Sequence, residues 1–206
     1  MAQDFNPPLM NSPKPLLGHN GIYRISIVGN SGSGKSTLGR HLSKHLQIPH
    51  LSIDELFWNP GWVPAEPDVL RERVQTFIGS NPGGWIVDGN YRRMIGPIVQ
   101  DAATDVLWLD PPLLVNFWRV LRRTFGRLFL GEPPCAPGCD EDIRETLGSK
   151  KSILLWCLSY HGVCRREFGP IWERESAEAG KGKWRRFGVW GGDLGRWLGR
   201  VTSSIR

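Results

Sequence analysis

Gly29-Asn30-Ser31-Gly32-Ser33-Gly34-Lys35-Ser36-Thr37 matches the pattern G-x-x-x-x-G-K-[ST] without a mismatch, directly behind the apolar run at residues 22–28. Its glycines let the backbone fold around an anion with successive N–H groups turned inward, at the positive end of the helix that follows. In such a loop Lys35 reaches the outer phosphates of a nucleoside triphosphate, and the Ser36 hydroxyl is a ligand of the accompanying magnesium ion. A Gly/Ser-rich turn of this spelling also arises by chance. The strand-like run before it and the helical pattern from Ser36 to about Gln47 supply the context that marks a phosphate-binding P-loop.

A second candidate is the carboxylate in Trp85-Ile86-Val87-Asp88-Gly89-Asn90-Tyr91-Arg92. In an open parallel sheet the ligand crevice lies outside the carboxyl ends of the strands, so Asp88 is expected to face the P-loop and hold magnesium through a water. Asp54 stands nineteen positions after Lys35, at the end of another short strand-like run, and should reach the same mouth; the alternative is a cap for the turn it begins. Arg119, Arg122, Arg123 and Arg127 cluster without an interspersed acid, which calls for a nearby anion or a solvated face. Phe57, Trp58 and Trp62, set among Pro60, Gly61 and Pro64, offer rings either for stacking on a ligand or for core packing.

Alternating patterns position these groups. Strands are expected at 22–28, 49–53, 85–87, 106–109 and 184–190, and helices at about 36–46, 67–79, 91–102 and 111–129. A long helical stretch follows over about 140–168, with a bend near Gly148 and Gly162, and Asp193 starts a short helix to about Val201. This alternation implies an α/β fold of right-handed βαβ units with a parallel sheet covered on both faces. Leu114, Phe117, Trp118, Leu121 and Phe125 recur at three- and four-residue spacing and predict a core-facing stripe.

A chain of 206 residues, 40% hydrophobic, builds one substantial core, expected here as one domain over residues 21–206. Residues 1–20, rich in proline and poor in apolar periodicity, read as a flexible extension. They lack the apolar segment of a secretory signal, so Cys135, Cys139, Cys157 and Cys164 are expected as reduced thiols in the cytoplasm. Nor does any run approach the ~18 apolar residues of a membrane span. The net charge is +6, and from Val163 onward ten Lys/Arg face five Asp/Glu. That excess suits nucleic acid, an acidic membrane, nucleotide phosphates or plain solvation.

Taken together, the P-loop, Ser52-Ile53-Asp54-Glu55-Leu56-Phe57-Trp58 with Pro60-Gly61-Trp62, the run Trp85 to Tyr91, and Leu109-Asp110 before an arginine-rich helix resemble the P-loop kinases of nucleoside-monophosphate-kinase type. Among these, the chain is most similar to the adenylate-kinase-like group called DNA topology modulation proteins, over about residues 22–168. The resemblance implies a five-stranded parallel sheet of order 2-3-1-4-5 flanked by helices, with a lid insertion at about 127–142. It implies ATP with Mg2+ as the phosphoryl donor and a small-molecule acceptor, either a nucleoside monophosphate or a hydroxyl metabolite. In resembling kinases of small metabolites, such as shikimate kinase, an acidic residue near Asp54 binds or activates the acceptor hydroxyl. Arg92, Arg119, Arg122, Arg123 and Arg127 become the pool for the clamp on the transferring phosphoryl group. Adenylate kinases carry a Thr-Gly-Asp type element where this chain has Ser52-Ile53-Asp54, a departure from AMP as acceptor. Some carry a lid zinc, but Cys135 and Cys139 supply only two of four ligands, so zinc is not expected. A different class, a nucleotide-binding regulator touching nucleic acid through the basic tail, also accommodates these residues.

Overall fold

The computed structural model describes residues 16–134, 136–139, 153–177, 182–188 and 192–204. Its central element is β1 (Arg24–Gly29), whose inner residues are buried on both faces, as the unbroken apolar run requires. β5 (Trp85–Asp88) pairs with it on one side and β6 (Asp105–Leu109) on the other. β2 (His50–Ser52) and β7 (Trp184–Phe187) close the edges, giving a five-stranded sheet of order β2-β5-β1-β6-β7. Every pairing is parallel. Numbered among these five strands alone the order is 2-3-1-4-5, as the resemblance implied.

Period-two alternation splits the sheet's side chains between two cores. Ile25, Ile27, Ile86, Leu107 and Phe187 face α1 (Lys35–Leu46) and α8 (Gly192–Ser204). Leu51, Trp85, Val87, Val106 and Trp108 face the opposite layer. That layer comprises α2 (Ile53–Phe57), α3 (Pro67–Ser80), α4 (Arg92–Ile95), α5 (Ile98–Ala102) and α7 (Ile153–Ala177). A two-strand ribbon, β3 (Trp58–Asn59) with β4 (Val63–Pro64), projects after α2. α6 (Leu113–Phe129) packs along α7.

Four expectations are corrected. The helix drawn over 91–102 is two, α4 and α5, because Gly96 turns the chain at φ 73° and Pro97 cannot continue the first helix. Gly162 does not break α7, which runs through it as one helix; Gly148 lies outside the described residues. The extension drawn over 1–20 ends earlier, since the Leu17 and Gly18 amides donate to the Asp105 carboxylate at 2.7 and 3.1 Å.

The fourth correction concerns α6, which is turned outward. Leu114, Trp118 and Phe125 of the expected core stripe are 81%, 66% and 55% exposed, while Asn116, Val120, Thr124 and Gly126 form the buried face. The cause lies in the P-loop. A Cβ on Gly32 would sit 2.3 Å from the Asn116 carbonyl oxygen, so α6 meets the loop backbone to backbone, and a contact that close excludes aromatic side chains. Amphipathic spacing reports that a helix has two faces, not which of them meets the protein.

Candidate active site

The P-loop leaves β1 at Gly29 and enters α1 at Lys35, with positive φ at Gly29, Gly32 and Gly34. Two asparagines shape it. Asn30 donates from Nδ2 to the Cys157 carbonyl at 2.8 Å while its Oδ1 accepts the Ser31 amide at 2.8 Å. Asn90, just past β5, accepts the Gly29 amide on Oδ1 at 2.9 Å and donates back to the Gly29 carbonyl. From α7, Cys157 Sγ lies 3.5 Å from the Ser31 carbonyl and Cys164 Sγ 3.4 Å from Asn90 Nδ2. Burial pushes the Cys164 thiol up to about 12 and also raises Cys157, so both act as small apolar props rather than nucleophiles.

Within this frame Lys35 Nζ donates to the Gly29 and Asn30 carbonyls at 2.9 and 3.0 Å. Ser36 Oγ donates to Asp88 Oδ1 at 3.2 Å, which joins the loop to the end of β5. Asp88 is buried, and its second oxygen lies 2.7 Å from His50 Nε2. Ser52 approaches the first oxygen at 3.5 Å. Register explains the cluster: Ser52 pairs with Asp88 across β2 and β5, and His50 lies two residues earlier on the same face. Thr37, the last residue of the motif, is exposed on α1.

Two residues past β2, in α2, Asp54 accepts a hydrogen bond from the Tyr91 hydroxyl at 2.6 Å, and the Tyr91 ring packs on Phe57 with centroids 4.8 Å apart. Asp88 thus ends β5 and Asp54 follows the end of the neighbouring β2, while Ser36 joins Asp88 from the start of α1. The arginines disperse. Arg119 reaches the loop, its Nη1 3.5 Å from the Ser33 carbonyl, and Arg123 lies close enough to Cys157 to counter the rise in its pKa. Arg127 donates from Nε to the Pro133 carbonyl at 3.1 Å, Arg122 is exposed, and Arg92 opens α4 directly after Tyr91. Phe57, Trp58 and Trp62 form an edge-to-face chain of rings, with Trp58 and Trp62 on the ribbon.

Ser33 Oγ is buried in the loop without a hydrogen-bond partner, beside a backbone held open by glycines. A buried polar atom of this kind, together with the Ser36–Asp88 pair, suits a phosphate chain with a hard divalent cation bound through oxygens. Among the described residues no group of three or more His, Cys, Asp or Glu could hold a metal by itself. Cys135, which with Cys139 makes up the pair in the expected lid, lies outside the described residues.

Sequence reasoning missed His50, Asn90, the two cysteine props and Asp110. The last is buried just after β6 and is held by Arg165 Nε at 3.0 Å and by Arg186, whose guanidinium lies 4.5 Å over the Trp108 ring. Spacing carried a signal for two of them. His50 and Ser52 alternate on one face of a strand, and Cys157 and Cys164 stand seven apart on one side of a helix. Arg185 and Lys183 of the basic tail are also used internally, the former on Asp105 at 2.8 Å and the latter on the Gln100 carbonyl at 2.7 Å. No helix among the described residues is long and apolar enough to cross a membrane.

No family model matches the chain. Two curated relatives, Pentafunctional AROM polypeptides 1 and 2 of Lodderomyces elongisporus, are each 27% identical over 160 residues. The match covers 69% of this chain and 10% of either relative, so the chain spans about a tenth of their length. Among solved structures, shikimate kinase from Acinetobacter baumannii in complex with shikimate superposes with a TM-score of 0.52 at 16% identity, over 90% of this chain and 95% of that one. The fold is therefore a P-loop α/β fold shared with that kinase, with the sheet order that the resemblance implied.

Proposed function

We propose that the chain is an ATP-dependent kinase that phosphorylates a hydroxyl group of a small metabolite. The observation that carries this reading is the Ser36–Asp88 contact behind the P-loop, with Asp54 at the same strand ends. The AROM relatives and the shared fold of the A. baumannii shikimate kinase support it and make shikimate the first acceptor to try.

In this reading Lys35 swings from the Gly29 and Asn30 carbonyls onto the outer phosphates, while the loop amides hold the inner ones. Ser36 and Asp88 would hold magnesium, which when bound neutralises charge on the β and γ oxygens. His50 and Ser52 keep the Asp88 carboxylate aimed at the loop. Asp54 exchanges the Tyr91 hydroxyl for that of the acceptor and takes its proton as the new O–P bond forms and the bond to ADP breaks. A nucleotide phosphate needs no such base, which favours a hydroxyl acceptor. Arg119, already at Ser33, is the clamp residue of the five; an arginine in that role is worth roughly 10³–10⁵ in rate.

Residues 127–139 are read as part of the lid. They rest on the ribbon through the Gly61 amide, which donates to the Gly138 carbonyl at 2.8 Å, and through Cys139 Sγ, 3.3 Å from the Asn59 carbonyl. The narrower likeness to DNA topology modulation proteins draws support from the contacts of Tyr91 with Asp54 and Phe57, which join the two halves of that motif set.

The test is magnesium-dependent ATP consumption across shikimate, other hydroxyl metabolites and nucleoside monophosphates. One hydroxyl acceptor should raise the rate well above the acceptor-free value. Lys35→Ala should abolish it, and Asp54→Asn should lower it by about 10²–10⁴. Near-normal turnover in Lys35→Ala refutes the mechanism, and stimulation by a nucleoside monophosphate that survives Asp54→Asn refutes the hydroxyl acceptor.

A further inference from the structure

Tyr91 is held in place by contacts that do not involve its hydroxyl. Its backbone begins α4, the carbonyl accepting the Met94 and Ile95 amides at 2.9 and 3.0 Å. Its ring packs on Phe57 and lies close over the Gly89 backbone, where an added Cβ would come within 3.2 Å of Tyr91 Cδ2. The residue before it, Asn90, grips Gly29 of the P-loop through two hydrogen bonds, which keeps the tyrosine in register with the loop.

The hydroxyl is left to serve a partner. It donates to Asp54 Oδ1 at 2.6 Å, the short distance typical of a hydroxyl on an ionised carboxylate. Other acids of the chain are held differently. Asp105 and Asp110 are buried and each is paired with a guanidinium, as structural carboxylates require. Asp54 is only half-buried and is met by a neutral hydroxyl, the same chemical group that the proposed acceptor presents.

We propose that Tyr91 is a built-in stand-in for the acceptor, its hydroxyl occupying Asp54 until a substrate hydroxyl displaces it and thereby denying the base to water. This rests on the kinase reading above and assigns to Tyr91 the suppression of ATP hydrolysis. In hydrolysis a water oxygen would attack the γ phosphorus, Asp54 would take the water's proton, and the bond to ADP would break. With the tyrosine on Oδ1 that water lacks its base. A tethered hydroxyl competes at high effective concentration, so a lone water displaces it poorly and a metabolite held at several points displaces it well. Tyr91 acts through Asp54 and is therefore a positioning residue.

The test is magnesium-dependent ATP hydrolysis without any acceptor, measured on the full chain for wild type, Tyr91→Phe, Asp54→Asn and the double variant. Tyr91→Phe keeps the ring on Phe57 and removes only the hydroxyl. It should raise the acceptor-free kcat about tenfold, the factor by which a hydrogen bond to a charged group commonly holds, with the KM for ATP unchanged. In the Asp54→Asn background the same substitution should change nothing. Hydrolysis at the wild-type rate in Tyr91→Phe, with or without a lower melting temperature, makes the hydroxyl merely structural and overturns the inference. A rise of equal size with and without Asp54 also overturns it, as does phosphate found on Tyr91 by mass spectrometry after incubation with ATP and magnesium, which would make the tyrosine an acceptor. Acceptor-stimulated turnover abolished by Lys35→Ala, beside unchanged hydrolysis in Tyr91→Phe, removes this inference alone and leaves the kinase reading standing. Absence of ATP turnover in every variant, with every acceptor, removes both.

Discussion

Two glycines of one loop should respond differently to the same added methyl group. Gly32 has φ +79°, and a Cβ there would lie 2.3 Å from the Asn116 carbonyl oxygen and 2.9 Å from Val120 Cγ2. Gly34 has φ +98°, but the nearest atom to its Cβ would be Arg119 Nη1 at 3.8 Å. Alanine at either position carries the left-handed penalty of about 1–2 kcal/mol. At Gly32 the methyl must also push α6 off the loop, because the obstructing atom is backbone, which adds overpacking of about 1–3 kcal/mol. Gly32→Ala should therefore lose about 2–5 kcal/mol and Gly34→Ala only about 1–2 kcal/mol. Urea unfolding followed by tryptophan fluorescence measures both, and an unchanged slope in denaturant makes the midpoints comparable. Equal losses, or a Gly32→Ala protein within about 0.5 kcal/mol of wild type, would refute the close approach of α6 to the loop.

Two further outcomes concern buried ionisable groups. Asp105 is fully buried with Arg185, and it also accepts from Leu17, Gly18 and Thr104. Asp105→Asn strands a buried guanidinium and should lose about 3–5 kcal/mol in thermal or urea unfolding; a loss below about 1 kcal/mol contradicts the pairing. Burial raises Cys157 and takes Cys164 and Tyr160 up to about 12 in the folded chain. The unfolded chain then releases these protons first, Cys from about pH 9 and Tyr from about pH 10, so stability present below pH 9 is lost as pH climbs toward 12. Melting temperatures from pH 7 to 11 should fall above pH 9, and Cys164→Ala should reduce the slope; a flat profile contradicts the burial.

What the sequence made legible was what a few consecutive residues determine. The nine-residue loop, the carboxylate ending an apolar run and the alternation of strands and helices each follow from local spacing, and the sheet order followed from the resemblance. Features decided by contacts between distant segments were not legible. His50 meets Asp88 only because β2 pairs with β5, and Asn90 matters because it bridges back to Gly29 across 61 positions. The outward face of α6 was misread because the decisive fact, a backbone contact at Gly32, belongs to another segment. The same holds for the arginines, four of which share one helix while Arg119 is the one that reaches Ser33.

The loop is spelled by nine neighbouring residues, but its shape depends on Asn90 and on α7, whose Cys157 carbonyl receives Asn30 across 127 positions. During synthesis the signature therefore leaves the ribosome long before the atoms that set its geometry. Closing contacts over such separations is slow, and β1, destined for the middle of the sheet, must wait for β6 on one of its sides. In the proposed reading the loop takes its final shape only once α7 has docked, and a nucleotide that binds the finished fold alone would then favour completed chains.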